Sequence, residues 1–500
     1  MMRYDECTPE EVIAKIADAE ATLEALREEL KRRGLCIEDG KPRLLDMWSL
    51  LAAMKEADDR RDATTLNALA RSAVQGRDDK GHALLTQCAE DCTEDDREAI
   101  ARALIEAGAD VNKRDCSWNT ALLIAVRRGK DAVTRALLEC GADASMSADG
   151  GWTPVYLAAE RGHETVLEAL LHAGADANVT IESGETALYA AAAKGHESTA
   201  RMLIDRGATV DLFSAAYLGR ADDIRALLDD GADVNAVVSD YRHTALYCAS
   251  DAGHEAAVRM LLEAGANVAE GSPLLAAVRN GHAGAARALV AAGADPNELD
   301  SFHWKGEGSM LYFAAMDGYD DVVAALIEGG ANVDSVKEYS GWTALHVAAE
   351  EGRVGAARAL LAAGADVNKV DQEDRTPLMI AAMHGQEAVA RVLIEAGADV
   401  DAMAEKSEGY TALFFAAQTG SSATVDALLA AGADVDKGRM DGATPLMIAV
   451  NRNREAVVRA LLEAGADVTV SDENGYTAMI VADELDRYEM ADILRAAGAK

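Results

Sequence analysis

The stretch YSGWTALHVAAEEGRVGAARALLAAGADVN, residues 339–368, decides how the rest of the chain is read. Thr343 carries the hydroxyl that a helix N-cap uses, because the first backbone N–H groups of a helix have no partner inside it. Leu345, Ala348 and Ala349 then fall on one face of a short helix, and small side chains there let a neighbouring element come close. Gly352 predicts the end of that helix, since a residue without Cβ enters left-handed backbone easily. A second helix follows, with Ala359, Leu360 and Leu361 expected to face inward, and Gly364 ends it in the same way. Asp366 to Asn368 begins an extended turn toward the next unit. In sister stretches Pro154, Pro377 and Pro445 follow the capping Thr, at the one helical position where a missing N–H does no harm.

The same grammar recurs along the chain. Gly-Ala-Asp, or a close variant, begins at Gly108, Gly141, Gly174, Gly207, Gly231, Gly265, Gly293, Gly330, Gly364, Gly397, Gly432, Gly465 and Gly498. Eight of the twelve intervals are 33 or 34 residues; the others are 24 (to Gly231), 28 (to Gly293), 37 (to Gly330) and 35 (to Gly432). A fixed period of that length is the mark of a repeat array. Aromatics make up only 4% of a chain that is 50% apolar, so the core must be built from Ala, Leu and Val.

WTALHVAAEEG at 342–352, RTPLMIAAMHG at 375–385 and WTPVYLAAERGH at 152–163 resemble the ankyrin-repeat family, and the resemblance covers residues 81–500. It implies an all-α fold, an α-solenoid of about thirteen helix-turn-helix units with short β-hairpin fingers, the first unit (81–113) being degenerate. It also implies a concave, ligand-binding side and a protein–protein interaction scaffold or adaptor. One modification comes with the family: hydroxylation of an Asn closing a Gly-Ala-Asp-Val-Asn phrase, a context that Asn112, Asn235 and Asn368 match. Two units depart from the pattern by being short, near 208–220 and 268–274. The insertion ELDSFHWKGEGS at 298–309 predicts an extended finger carrying Phe302, His303 and Trp304. The polar run DELDRYE at 483–489 is expected to cap the array, and with the closing Gly-Ala lying just before Lys500 no effector domain is expected after it.

Ahead of the array, residues 1–43 read as a helical segment and 44–80 as a helical capping region. Thr8-Pro9-Glu10-Glu11 is a capping box and Gly34 a stop, so one helix is expected over 8–33. Its stripe of Val12, Ile16, Ala19, Leu23, Leu26 and Leu30 suits docking on the same chain or self-association through a short coiled coil, the basis for a role as a structural subunit of a larger assembly. Residues 44–75 read as two more helices, with Trp48 buried. LREELKRRGL at 26–35 also resembles the SAP helix-hairpin motif, which implies a chromatin- or nucleic-acid-associated adaptor using Lys31, Arg32, Arg33, Lys41 and Arg43. Segment 1–45 nevertheless holds 8 basic and 11 acidic residues, whereas a phosphate-binding module should be basic.

A net charge of −38 makes nucleic acid and anionic membrane poor partners and favours a basic protein. No apolar run approaches the ~18 residues of a membrane span, and no secretory signal opens the chain. The seven cysteines are scattered without a CxxC pair, which fits reduced thiols in the cytoplasm or the nucleus. No His/Cys group has zinc spacing, and neither a phosphate-cradling GxxxxGKT nor a GxSxG elbow occurs, so no catalytic, cofactor or metal residue is expected. His163, His196, His254 and His282 follow the inner-helix Gly at the repeat period, which argues for structural hydrogen bonds; His346 reads likewise. Asp110, Asp176, Asp366 and Asp434 belong to the Gly-Ala-Asp turn. The residue before the capping Thr varies: Asn119, Trp152, Glu185, His243, Trp342, Arg375, Tyr410, Ala443, Tyr476. It is expected to point off the stack, where exposed aromatics make binding hot spots. Trp118, Trp152, Tyr241, His243, Trp304, Trp342, Arg375 and Tyr410 are therefore the candidate protein-binding residues.

Overall fold

The computed structural model describes residues 51, 54, 55, 57, 63–74, 80–90 and 98–499, apart from 116, 240, 301–307 and 338. The expected helix over 8–33, its apolar stripe, Trp48, the basic residues Lys31, Arg32, Arg33, Lys41 and Arg43, and the inserted Phe302, His303 and Trp304 lie outside the described residues.

Between Lys80 and Ala496 the described residues form thirteen helix pairs, an inner helix followed by an outer one, the inner being the shorter in every pair but the first. They fall into two compact units, one ending at residue 218 and including 237–243, the other holding 219–236 and 244 onward. In the first, helix Ala63–Val74 precedes inner helices Lys80–Glu90, Ala121–Arg127, Pro154–Arg161, Ala187–Ala193 and Leu212–Tyr217. In the second, inner helices run from Ala245–Asp251 to Ala478–Glu484. Within each unit inner helices pack on inner helices and outer on outer, repeat after repeat.

Local chemistry explains the helices. Thr153, Thr376 and Thr411 accept from the backbone N–H three residues on, at 3.2, 3.3 and 3.2 Å, and Asp211 and Ser309 do the same where Thr is absent. Burial differs from the expectation in two respects. The inner helix is buried all round, residues 344–349 without exception, because a neighbouring repeat covers each flank. On the outer helix the buried set is Ala356, Ala357 and Leu360, with Ala359 and Leu361 only half-buried: 3.6 residues per turn bring 356, 357 and 360 to one stripe, and the outer helix has solvent behind it.

The repeats are joined by two sets of contacts. Gly162 ends an inner helix at φ +68, and the ring of His196 from the next repeat sits so close that a Cβ on Gly162 would lie 2.7 Å from it. The Nε2 of His196 faces the Glu160 carbonyl at 3.2 Å. Gln386 stands over Gly352 in the same way and donates to the Glu350 carbonyl at 2.8 Å, while His282 reaches the Asp251 carbonyl at 3.0 Å. These side chains cap the free carbonyls of the preceding helix, the structural role expected of the periodic histidines. The second set is a ladder of turns. Asp110 Oδ1 accepts from the Asn112 N–H at 3.0 Å, and Asn112 Oδ1 accepts from the Asp143 N–H of the next repeat at 2.8 Å. Asn235 and Asn368 hold Asn267 and Asp399 alike, at 2.8 and 2.9 Å.

The irregular units keep the helices and change the fingers. Helix Leu212–Tyr217 starts directly after the cap Asp211, so its unit has no finger. Ser272, before Pro273, takes φ +55 and makes no side-chain cap. The extended finger opens as an antiparallel pair, Leu299 opposite Ser309 and Asp300 opposite Gly308. Several other fingers carry a single bridge, as at Thr180–Thr186, Ala404–Tyr410 and Ser471–Thr477.

Gly162 and Gly174 separate the two demands on a glycine. Gly174, at φ +87, has nothing within 4 Å of an added Cβ. Gly174→Ala is expected to cost about 1 kcal/mol from left-handed backbone alone. Gly162→Ala must also displace His196 from its carbonyl and should cost about 2–3 kcal/mol. Urea unfolding of the two variants checks the order.

Candidate functional site

Each finger ends in a turn built to aim the chain into the next inner helix. In the finger before Thr120, Asp115 Oδ1 accepts from the N–H groups of Ser117 and Asn119, both at 2.8 Å. That turn forces the residue two before the capping Thr into left-handed backbone. Six sister fingers place Gly there: 151, 184, 341, 409, 442 and 475. Trp118 (φ +62), Arg242 (φ +56) and Asp374 (φ +60) occupy the same position with side chains.

At Trp152, Trp342 and Tyr410 the residue just before the Thr lies against the stack, whereas Tyr476 at the same position is exposed. Trp152, Trp342 and Tyr410 are half-buried, each with a ring four residues on: Tyr156 at 5.2 Å, His346 at 6.0 Å and Phe414 at 5.1 Å between centroids. The i, i+4 spacing across the cap brings both rings to one side, and the following finger closes over them. Trp342 Nε1 donates to Asp371 Oδ2 at 3.0 Å. The buried Asp371 also takes Arg375 Nε at 2.8 Å and the backbone N–H of Arg375 at 2.8 Å, leaving the Arg375 side chain only 19% exposed. The Tyr410 hydroxyl accepts from Arg439 Nη1 at 2.9 Å, with the guanidinium 5.2 Å above the ring.

His243 is also half-buried, and its Nδ1 lies 3.1 Å from the Tyr189 hydroxyl. The contact exists because the unit between has no finger. The first arm of the finger that carries His243, residues 237–239, therefore lies beside the finger of 178–186, with the Ser239 N–H donating to the Ser183 carbonyl at 3.3 Å. Burial lowers the His243 pKa. Tyr241 stacks on His243, at 5.8 Å and 22°, yet stays 81% exposed. Trp118 is 63% exposed. A groove of about 410 Å³ opens at its chain neighbours Ser117 and Asn119, lined also by Arg127, Trp152, Leu157 and Arg161.

Of the candidates, then, Trp118 and Tyr241 stand in solvent, whereas Trp152, His243, Trp342, Arg375 and Tyr410 present edges of residues held by neighbouring fingers. Two residues escaped the sequence reading. Tyr339, 82% exposed, lies three before Trp342, and only its place in a finger could have signalled it. Asp371 could have been found from Asp115, which stands at the same distance before its Thr. Among the described residues no group of three or more His, Cys, Asp or Glu is arranged to hold a metal ion, and no helix is long and apolar enough to cross a membrane.

The sequence model described as "Ankyrin repeats (3 copies)" matches residues 85–181, 122–214, 173–238, 212–300, 274–371, 363–439 and 431–500. The chain belongs to the ankyrin-repeat family. Its curated relatives match in short stretches. Protein phosphatase 1 regulatory subunit 12A of Mus musculus is 44% identical over 73 residues, 14% of this chain and 7% of that protein. The ankyrin repeat and KH domain-containing protein mask-1 of Caenorhabditis elegans is 32% identical over 149 residues, 29% of this chain and 6% of that one. L-asparaginase of Dirofilaria immitis is 41% identical over 70 residues, 14% of this chain and 12% of the enzyme. In each case the match spans a small part of the relative's length.

One buried titratable group in this ankyrin stack yields a pH test. His346 is fully buried, and burial pushes its imidazole down to about 4 from the usual 6.5. Its Nδ1 accepts from the Thr343 N–H at 3.2 Å and its Nε2 faces the Arg375 carbonyl at 3.2 Å, so a proton on Nδ1 would meet a donor. Because the folded pKa lies below the unfolded one, protonation favours unfolding: the contribution is complete above pH 6.5 and is lost as pH falls toward 4. Between pH 7 and pH 5 this group alone should remove about 2 kcal/mol. His346→Met, the residue found at the equivalent positions 379 and 447, should lose that component in urea titrations at the two pH values.

Proposed function

We propose that this ankyrin-repeat protein is a non-enzymatic adaptor that grips a partner protein along its inner-helix and finger side, with adhesion concentrated at exposed finger aromatics. The observation that carries the reading is Trp118: a large aromatic, 63% exposed, in a left-handed position that six sister fingers fill with Gly. Fold stability does not ask for a tryptophan there, and exposed aromatics on a rigid frame are hot-spot material. Tyr241 adds a second such residue on a finger braced by Tyr189 and Ser183. The net charge of −38 favours a partner that is basic over much of its contact with the array. The regulatory-subunit relative supports a binding role in kind. The nucleic-acid alternative rests on residues 23–45 alone, ahead of the matched repeats.

A comparison of captured proteins tests the proposal. The immobilised full chain, a Trp118→Ala/Tyr241→Ala variant and an outer-helix control, Arg225→Ala, are exposed to the same extract. The finger variant should lose partners that the control keeps. A partner set unchanged by the finger variant would count against fingers as the gripping surface.

A further inference from the structure

The first well-formed finger differs from its sisters in charge as well as in Trp118. Residues 111–130, one finger with its inner helix, carry Lys113, Arg114, Arg127, Arg128 and Lys130 against Asp115, a net +4 in a chain of net −38. The equivalent stretch 144–163 is −1, and 468–487 is −4. At physiological ionic strength charges are screened beyond about 8 Å, so a bound segment feels this local island and not the distant acidic repeats.

The island has a shaped surface. Arg114 lies 5.2 Å from the Trp118 ring and is anchored by donating to the Ser147 carbonyl at 2.7 Å and to the Trp118 carbonyl at 3.2 Å. Ser117 and Asn119, the chain neighbours of Trp118, line the groove that opens toward the next finger. Trp152, Leu157 and Ala148 give that groove apolar walls. Arg127 and Arg161 line it, and the hydrogen-bond partner of Arg127 is a neutral amide, Asn119 Oδ1, at 3.0 Å. Two carboxylates share the lining: Glu160, 3.4 Å from Arg161, and Asp149. Arg127 therefore keeps its positive charge without a matched carboxylate, next to an apolar recess and one finger turn from the exposed Trp118.

Resting on the adaptor reading above, we propose that the groove between the Trp118 and Trp152 fingers docks an acidic peptide segment with one aromatic or large aliphatic anchor. The anchor fills the recess against Trp152 and Leu157, a carboxylate of the segment pairs with Arg127, and Trp118 covers the backbone from the finger side. Left-handed backbone at Trp118 is tolerated because the Asp115 turn holds it, and the gain is a rigid aromatic edge with little entropy left to lose on binding.

The test pans a random dodecapeptide display library against the full-length chain, then titrates labelled winners onto Trp118→Gly, Arg127→Glu and Arg127→Gln variants. Winners should be acidic with an apolar anchor, should weaken as salt rises, and should lose roughly tenfold or more in affinity on Trp118→Gly and on Arg127→Glu. Trp118→Gly restores the sister residue, so its urea midpoint should hold or rise while binding falls; a midpoint that drops would mean that Trp118 serves the fold. Acidic winners indifferent to these variants, or neutral or basic winners, overturn this groove and leave the adaptor reading standing. Stronger binding of a single-stranded oligonucleotide at the groove would reassign it to nucleic acid. Displacement of the winners by a synthetic peptide of residues 1–45 would reassign it to the chain's own N-terminal segment. Failure to select any peptide, together with an unchanged partner set in the capture experiment, would remove both readings.

Discussion

The structure depends on the junction where one repeat's inner helix ends and the next repeat's side chain closes it. At Gly162 and Gly352 the backbone turns left-handed, and His196 or Gln386 from the following repeat lies over the turn and meets the carbonyls left free behind it. Neither half works alone. A side chain on the glycine would expel the capping group, and without the cap the helix end would face a packed neighbour with unsatisfied oxygens. The Asp–Asn ladder ties the other end of each unit in the same pairwise way. Stability in such a stack is a sum over neighbours, and each repeat owes its buried helix to the next one.

Much of this was legible in the sequence because it is local. Thr343 caps a helix wherever it occurs, and a Gly at the helix end marks the turn; their period of 33 or 34 residues reveals the stack. The periodic histidines declared a structural role by recurring. Facing was harder. Ala359 and Leu361 look as apolar as Leu360, and only the position of the neighbouring outer helices separates them. The residue before the capping Thr was misjudged for a related reason. Its own repeat does not reveal that Trp342 turns inward, but Asp371, 29 residues later, reaches back for its indole N–H. Long-range partners of that kind leave no mark within a single period.

Where the pattern is broken, the finger side changes while the helices persist. The fingerless unit lets the 237–243 segment brace against the finger of 178–186, and Tyr241 stands out from that brace. In the first finger unit, a tryptophan stands where six sisters carry glycine, and lysine and arginine outnumber carboxylates five to one. A scaffold gains specificity through such departures, because the shared residues are committed to stacking and are alike from repeat to repeat.

The most direct measurement is site-specific photo-crosslinking of the full chain in cells, with a photoreactive phenylalanine at the finger positions 118, 241 and 339 and, for comparison, at the exposed outer-helix positions 172, 205 and 263. Recognition by the finger side predicts discrete protein adducts at the first set and background at the second. Adducts that concentrate on the outer helices, with the fingers silent, would contradict it.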